Sequence, residues 1–444
     1  MRSTHTDSLD RLTIVRTSNA LLGDISTPNY ELGEVVSRLL STADSWRHRK
    51  VESLRLLDGD SGRRKVSVDC TPDSTLSSPN GHRIMVPLAL ISKRPMKDFD
   101  IVDGASFPLP TLGRTDDGFL AWSAICFQIR HDLSTELPDG LVEALHDVVH
   151  GTPDKATATA VDVLLNGEQL FGIDPNRILD QTGYLLLDLA SKFMLTCLLP
   201  TGAKTERQIL KYSYHWRIQS NDPVTLRSRC RVALGLEDAN YYLAVGGASD
   251  AASYHLEVHA PPGLTATRLE LPTGSSFEPS RIDSDGGSVV HATAVYPEGP
   301  ESEDAELGLS VPLRGIRTAT LIVSVYTATV FILERILPGA QDALLDAADG
   351  AVALLLVVPA AYSAFLARSN ENALVSQILL PLRVTMLLCS ALLLAAAASL
   401  VGHLHEPWLT ILWSAGAVLS VPAAAAQLVA YLVQVSRRSV SGDT

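Results

Sequence analysis

Residues 318–337 read TATLIVSVYTATVFILERIL, with charge only in the last turn, at Glu334 and Arg335. A helix of this length covers about 30 Å, the thickness of bilayer hydrocarbon. Three further apolar stretches follow, at about 348–367, 377–401 and 408–435. Lipid offers no water to unpaired backbone groups, so helix is the expected conformation for each. Pro359, Pro381 and Pro422 fall inside three of them, where a packed bundle absorbs a kink. The tail 316–436 is therefore expected to be a bundle of four transmembrane helices, with 437–444 as a short cytoplasmic tail.

Outside this tail the chain changes character. Residues 318–444 hold five basic and seven acidic residues, whereas 1–317 hold 31 basic and 42 acidic, within a total net charge of -13. That division excludes a wholly soluble enzyme, a disordered chain and a disulfide-stapled secreted domain. The acidic balance argues against nucleic acid as a partner, because phosphate neutralisation needs the opposite charge. Five widely spaced cysteines with no CxxC pair read as reduced thiols of a cytosolic compartment.

Lysine and arginine counting sets the orientation. Arg314, Arg317, Arg368, Arg437 and Arg438 collect on one side, and Arg383 can snorkel to it; the other side has Arg335 alone. Both termini are expected in the cytoplasm, since no apolar signal segment opens the chain. The 28:8 ratio of Arg to Lys and the heavy use of alanine suggest a bacterial, GC-rich genome.

The head reads as α+β. Residues 1–28 are polar and unpatterned, a mobile arm. The segment 29–116 opens with a helical stripe of Leu32, Val35, Val36, Leu39 and Leu40, followed by β-hairpin signals at 54–70 and 83–112. The segment 117–192 reads as a helical insertion. From 193 to 315 short strands recur between Gly, Pro and Asp turns, predicting a membrane-proximal β-sandwich. Within it, Phe193–Leu199 and Gln208–Ile218 are expected to pair as a hairpin. In KYSYHWRI the alternation puts Tyr212, Tyr214, Trp216 and Ile218 on one face and Lys211, Ser213, His215 and Arg217 on the other. Pro312 marks the last strand as an edge or an end.

Phosphate-loop, dinucleotide, nucleophile-elbow and HExxH motifs are absent, and no cofactor is predicted. Asp98, Asp100 and Asp103 lack calcium-loop spacing and read as a solvated hairpin. His255, Glu257 and His259 share one face of the strand YHLEVH, a candidate metal set against the simpler reading of a polar outer face. His146 and His150, one turn after Glu143, have metal-capable helical spacing, with a solvated face the simpler reading. His403, His405 and Glu406 sit in a short outer loop, suited to interfacial anchoring or proton sensing. Arg227, Arg229 and Arg231 alternate in 224–232, read as a strand presenting them to anionic lipid or an acidic partner, or to acidic neighbours such as Glu237 and Asp238.

These readings lead to a multi-pass membrane protein of the cell membrane. Its cytoplasmic β-rich head is an interaction or scaffolding module at the inner leaflet, with the bilayer, a cytosolic protein and anionic lipid as partners. The alternatives are a membrane-anchored enzyme with a metal site in the head, and an oligomeric transporter or channel. The near-absence of charge inside the apolar stretches speaks for an anchor.

Overall fold

The computed structural model describes residues 26–57, 61–72, 76, 83–203, 206–217, 225–275, 281–297, 304–337, 339, 343–344, 348–366, 373–402, 404 and 407–441. The N-terminal arm up to residue 25, most of the first hairpin turn, and His403, His405 and Glu406 lie outside them.

Helix α1 (Tyr30–Ser41) starts where the Asn29 side chain accepts hydrogen bonds from the backbone of Glu31 and Leu32, both at 3.1 Å. Its apolar stripe packs on α2 (Arg114–Leu133). Contact is so close at Gly33 that a Cβ there would lie 2.2 Å from the Ser123 carbonyl oxygen. Helix α2 buries Phe119, Leu120, Trp122, Ile125 and Ile129, and is covered by α3 (Asp139–His150), α4 (Pro153–Phe171) and α5 (Asp180–Ser191). A helix apolar on most sides must be buried, so α2 is the axis of the first core.

Strands β1 (Arg47–Leu56) and β2 (Ser61–Cys70) form the expected hairpin. The next strands are β3 (Arg83–Ser92), β4 (Asp100–Asp103), β5 (Lys192–Pro200) and β6 (Gln208–Arg217). Strands β5 and β6 exist as expected but do not pair with each other. The apolar β5 pairs antiparallel with β3 as a separate ribbon, while β6 pairs with β2 and β4. Burial explains the split. β5 is buried over six consecutive residues and has no polar face to offer solvent, whereas β6 alternates.

Beyond β6, the segment expected as an arginine-striped strand is a helix, α6 (Leu226–Ala233). The Thr225 hydroxyl accepts from the Ser228 backbone at 3.2 Å and caps it. Arginine is a good helix former, and this cap decides against the strand. Then come β7 (Ala239–Ala244), β8 (Tyr254–His259), β9 (Thr265–Glu270), β10 (Arg281–Gly287), β11 (Val289–Ala294) and β12 (Asp304–Ser310). The early and late strands belong together, because β8 lies parallel to β1 from Lys50↔Tyr254 to Arg55↔His259. One sheet runs β11-β8-β1-β2-β6-β4 and a second runs β10-β9-β12-β7. Inward residues of both, such as Leu54, Leu256, Val290, Leu269 and Leu307, meet in a second core. Strand β12 ends before Pro312, as its missing N–H requires.

Among the described residues three helices are long and apolar enough to cross a membrane: Leu313–Ile336, Ala373–Val401 and Trp408–Val433. They contain α7 (Thr318–Ile336), α9 (Ala373–Val401) and most of α10 (Trp408–Ser441). The expected fourth span is a helix, α8 (Ala348–Leu366), whose apolar part, Asp349–Ala361, is shorter. Three candidate spans therefore stand where four were expected. Phe331, Leu393, Leu400 and Trp413 pack α7, α9 and α10 together, with Phe331 and Trp413 edge to face at 5.2 Å.

Helix α9 does not stop at the bundle. Leu374, Val375, Ile378, Leu379, Leu382 and Met386 belong to the head's second core, beside Val232 and Ala233 of α6. Its 29 residues span about 43 Å, more than the hydrocarbon thickness, so the first turns are free to join the head. Arg383 reaches back along this helix, donating from Nη1 to Ser376 Oγ at 3.1 Å. Arg317, buried at the head–helix junction, donates to the Leu234 carbonyl at the end of α6.

Candidate functional site

The six-stranded sheet and the β3–β5 ribbon enclose a cleft of about 1110 Å³. Its floor carries charge where the strand pattern calls for apolar residues. On β1, Lys50 and Glu52 occupy the same inward phase as Leu54 and Leu56; on β2, Arg64 occupies the phase of Val66 and Val68. Glu52 is 2% exposed and forms ion pairs with Lys50 Nζ and Arg64 Nε, both at 3.2 Å. Burial alone would raise the Glu52 pKa, yet Arg64, Lys50 and the Tyr254 hydroxyl together hold the carboxyl below its usual range.

The cations do more than balance Glu52. Lys50 also donates to the carbonyls of Gly246 at 3.2 Å and Gly247 at 2.9 Å, which uses all three of its N–H groups. Arg64 donates to the Ala244 carbonyl and lies over the Trp216 ring, 5.4 Å from its centroid. Arg47 donates to the Pro87 carbonyl at 2.7 Å and pairs with Asp250 at 3.6 Å. The cluster thus ties the β7–β8 connection and β3 to the sheet floor. Lys50 has no free donor, and Glu52, held below its usual range, stays ionised near neutral pH. Tyr212 and Tyr214, with parallel rings 6.3 Å apart, and Trp216 continue this floor as an aromatic strip on β6.

The candidate metal set is placed on the outer face of β8, as the alternation requires, but its members turn to different neighbours. His259 Nε2 meets Glu257 Oε1 at 3.0 Å. His255 Nδ1 instead faces His291 Nε2 at 3.3 Å and Thr293 Oγ1 at 3.0 Å on β11. Among the described residues no three His, Cys, Asp or Glu side chains form a group that could hold a metal ion. Burial, then Arg49 and His291, pushes the His255 pKa down to about 4. His146 and His150 stack 4.3 Å apart in α3, against Trp122 and the bare backbone of Gly118. Burial, then His146, Lys93 and Arg114, pushes His150 down to about 4, so His150 is uncharged near neutral pH.

Arg227, Arg229 and Arg231 do not share a face. On α6 a two-residue step turns about 200°, which separates Arg229 from the other two. Arg231 pairs with Glu237 at 2.8 Å, the acidic neighbour expected for this segment. Around Asp103 the hairpin is closed by its own side chain, which accepts from the backbone of Ala105 and Phe107 at 2.9 and 2.8 Å. Period-two analysis selects the aromatic face of β6 but passes over Lys50, Glu52 and Arg64. Their signal was available: charges standing in the apolar phase of RHRKVESLRL and SGRRKVSVDC.

No family model and no curated protein sequence matches this chain. Among solved structures, it is similar to an M1 zinc metallopeptidase mutant from Deinococcus radiodurans with bound Tyr-Ser-Ala substrate, at 10% identity and a TM-score of 0.22. That match covers 59% of this chain and 42% of the peptidase chain, so the chain spans less than half of that relative. The M1 zinc metallopeptidase from Deinococcus radiodurans matches at 11% identity and a TM-score of 0.21, over 87% of this chain and 93% of that one. Likeness at this level carries no argument about fold or function.

Proposed function

We propose that this protein is a membrane-anchored interaction module, with a cytoplasmic head presented at the inner leaflet by four crossings and both termini inside the cell. The observation that carries the reading is the shared core between head and anchor. The first turns of α9 are part of the head's second hydrophobic cluster, and Arg317 ties α7 to α6. A head packed in this way is held in one orientation over the membrane, which suits presentation of a surface more than free diffusion on a tether. In this reading the two sheets are the layers of a sandwich-like unit next to the bilayer, and α8 completes the fourth crossing.

The cleft charges support binding over catalysis, since each is engaged in holding the walls together. The test is covalent capture in intact membranes: the full chain, cross-linked and purified, brings down a reproducible set of cytosolic proteins. A reporter active only outside the cytoplasm, fused at Thr444, stays silent, and at Asp342 it gives signal. Signal at Thr444 overturns the orientation; recovery of the chain alone overturns the interaction reading.

A further inference from the structure

The solvent face of the six-stranded sheet holds an arrangement that sheet energetics disfavours. Strand register sets Arg55 directly opposite Arg63, with His259 next to Arg55 and His215 next to Arg63. Four basic side chains therefore stand in one row across β8, β1, β2 and β6, about 14 Å long at the spacing of neighbouring strands. Like charges directly opposite each other destabilise a sheet pair. Lys65 on β2 and Lys211 on β6 extend the row, while Arg49 on β1 stands opposite Asp69.

Counter-charge is sparse. His259 meets Glu257, His215 meets Asp98 at 2.9 Å, and Arg63 donates to Ser213 Oγ at 3.1 Å. Asp69 is taken by Arg207, at 2.6 Å from Nε, and Asp100 lies at the β4 edge. Among the described residues no acidic group pairs with Arg49, Arg55, Arg63 or Lys65. This cationic face stands on a chain of net charge -13.

Resting on the interaction reading above, we propose that this face is the docking surface and that its partner is a carboxylate-rich protein segment. The chemistry selects among polyanions. The row spans four strands, so it fits a macromolecule and not a small anion. Between the charges it presents Val51, Ser53 and Ser67, and its outward positions on β1 and β2 carry no Phe, Tyr or Trp among the described residues, so it lacks the large stacking rings that single-stranded nucleic acid uses. Inward residues of β1 and β8 share a core with α9, which turns the opposite face away from the helices and from the lipid around them. Arginine pairs make the two-pronged bonds that carboxylates accept, and a row of them reads an extended acidic chain.

The test uses the full chain in phosphatidylcholine nanodiscs and a labelled polyglutamate peptide as probe. The parent binds the peptide, and added salt weakens binding. The variant Arg55→Gln/Arg63→Gln/Lys65→Gln loses affinity on the order of tenfold, as three exposed ion pairs would. The charge-retaining variant Arg55→Lys/Arg63→Lys, which checks that the face still folds, binds more weakly than the parent, having lost the two-pronged bonds, but more tightly than the glutamine variant. Equal binding by the glutamine variant overturns the proposal. So does a parent that binds no polyglutamate, or one that prefers phosphatidylserine vesicles or oligothymidine. If membrane cross-linking recovers the same partners with parent and glutamine variant, this surface is excluded while the interaction reading stands; if the parent recovers none, that reading itself fails.

Discussion

Glu52 shows how a single side chain organises the floor of the cleft. Two cations and one carboxylate lie buried together, and among the described residues the Glu52 carboxylate is the one that pairs with both. Removing one partner of a buried ion pair typically costs about 3–5 kcal/mol, because the remaining charge is left in a poorly solvating site. Glu52→Gln should therefore lower unfolding stability in detergent by about that amount at neutral pH. Trp216, packed under Arg64, serves as the fluorescent reporter. The sign of the pH dependence follows from the lowered pKa. Folding gains from ionised Glu52 at every pH above the ordinary carboxylate range, and loses that gain as pH falls through the folded value. The gap between parent and variant should hold from neutral pH into the ordinary carboxylate range and close only below it. A gap that does not change under acid would assign the loss to shape and not to charge.

At the scale of elements, alternation and turn residues were legible where neighbours in sequence decide the outcome. The aromatic and polar faces of β6, the β1–β2 hairpin, strand β8 and the end of β12 follow from period two, turn residues and Pro312. Two failures have physical causes. In TLRSRCRVA the alternation of arginine with other residues fits a strand, but one threonine cap and the helix propensity of arginine outweigh it. Both β5 and β6 were legible as strands, yet partner choice depends on burial far away in sequence. β5, buried over six consecutive residues, goes to β3, while β6 completes a sheet begun by β1 and β2. Parallel pairing of β1 with β8 joins segments about two hundred residues apart, and no local pattern announces such a pair. The cleft floor was passed over for a different, local reason: its charges sit in the right strands but in the phase that pattern reading assigns to apolar side chains.

At the scale of the whole molecule, the boundary between head and anchor is not where the composition changes. Charge thins out after residue 317, which suggests a soluble unit that can be cut free there. The structure joins the two through α9, whose Leu374, Val375, Ile378, Leu379, Leu382 and Met386 fill the second core. Burying a large aliphatic side chain contributes about 1.5–3 kcal/mol. Six of them amount to roughly 9–18 kcal/mol as an upper bound, since unfolded chains already bury part of this surface. Domains are stable by only about 5–15 kcal/mol in total. A fragment of residues 1–315 should therefore expose an apolar patch, bind a hydrophobic dye and aggregate, while the full chain in detergent does neither. Appending residues 373–386 to the fragment through a flexible linker should restore solubility and sharpen the melting transition. The same segment with Leu379 and Leu382 changed to Asp should not, because the rescue depends on what the helix buries. A fragment that is monomeric and melts cooperatively without α9 would show that the head closes its core alone.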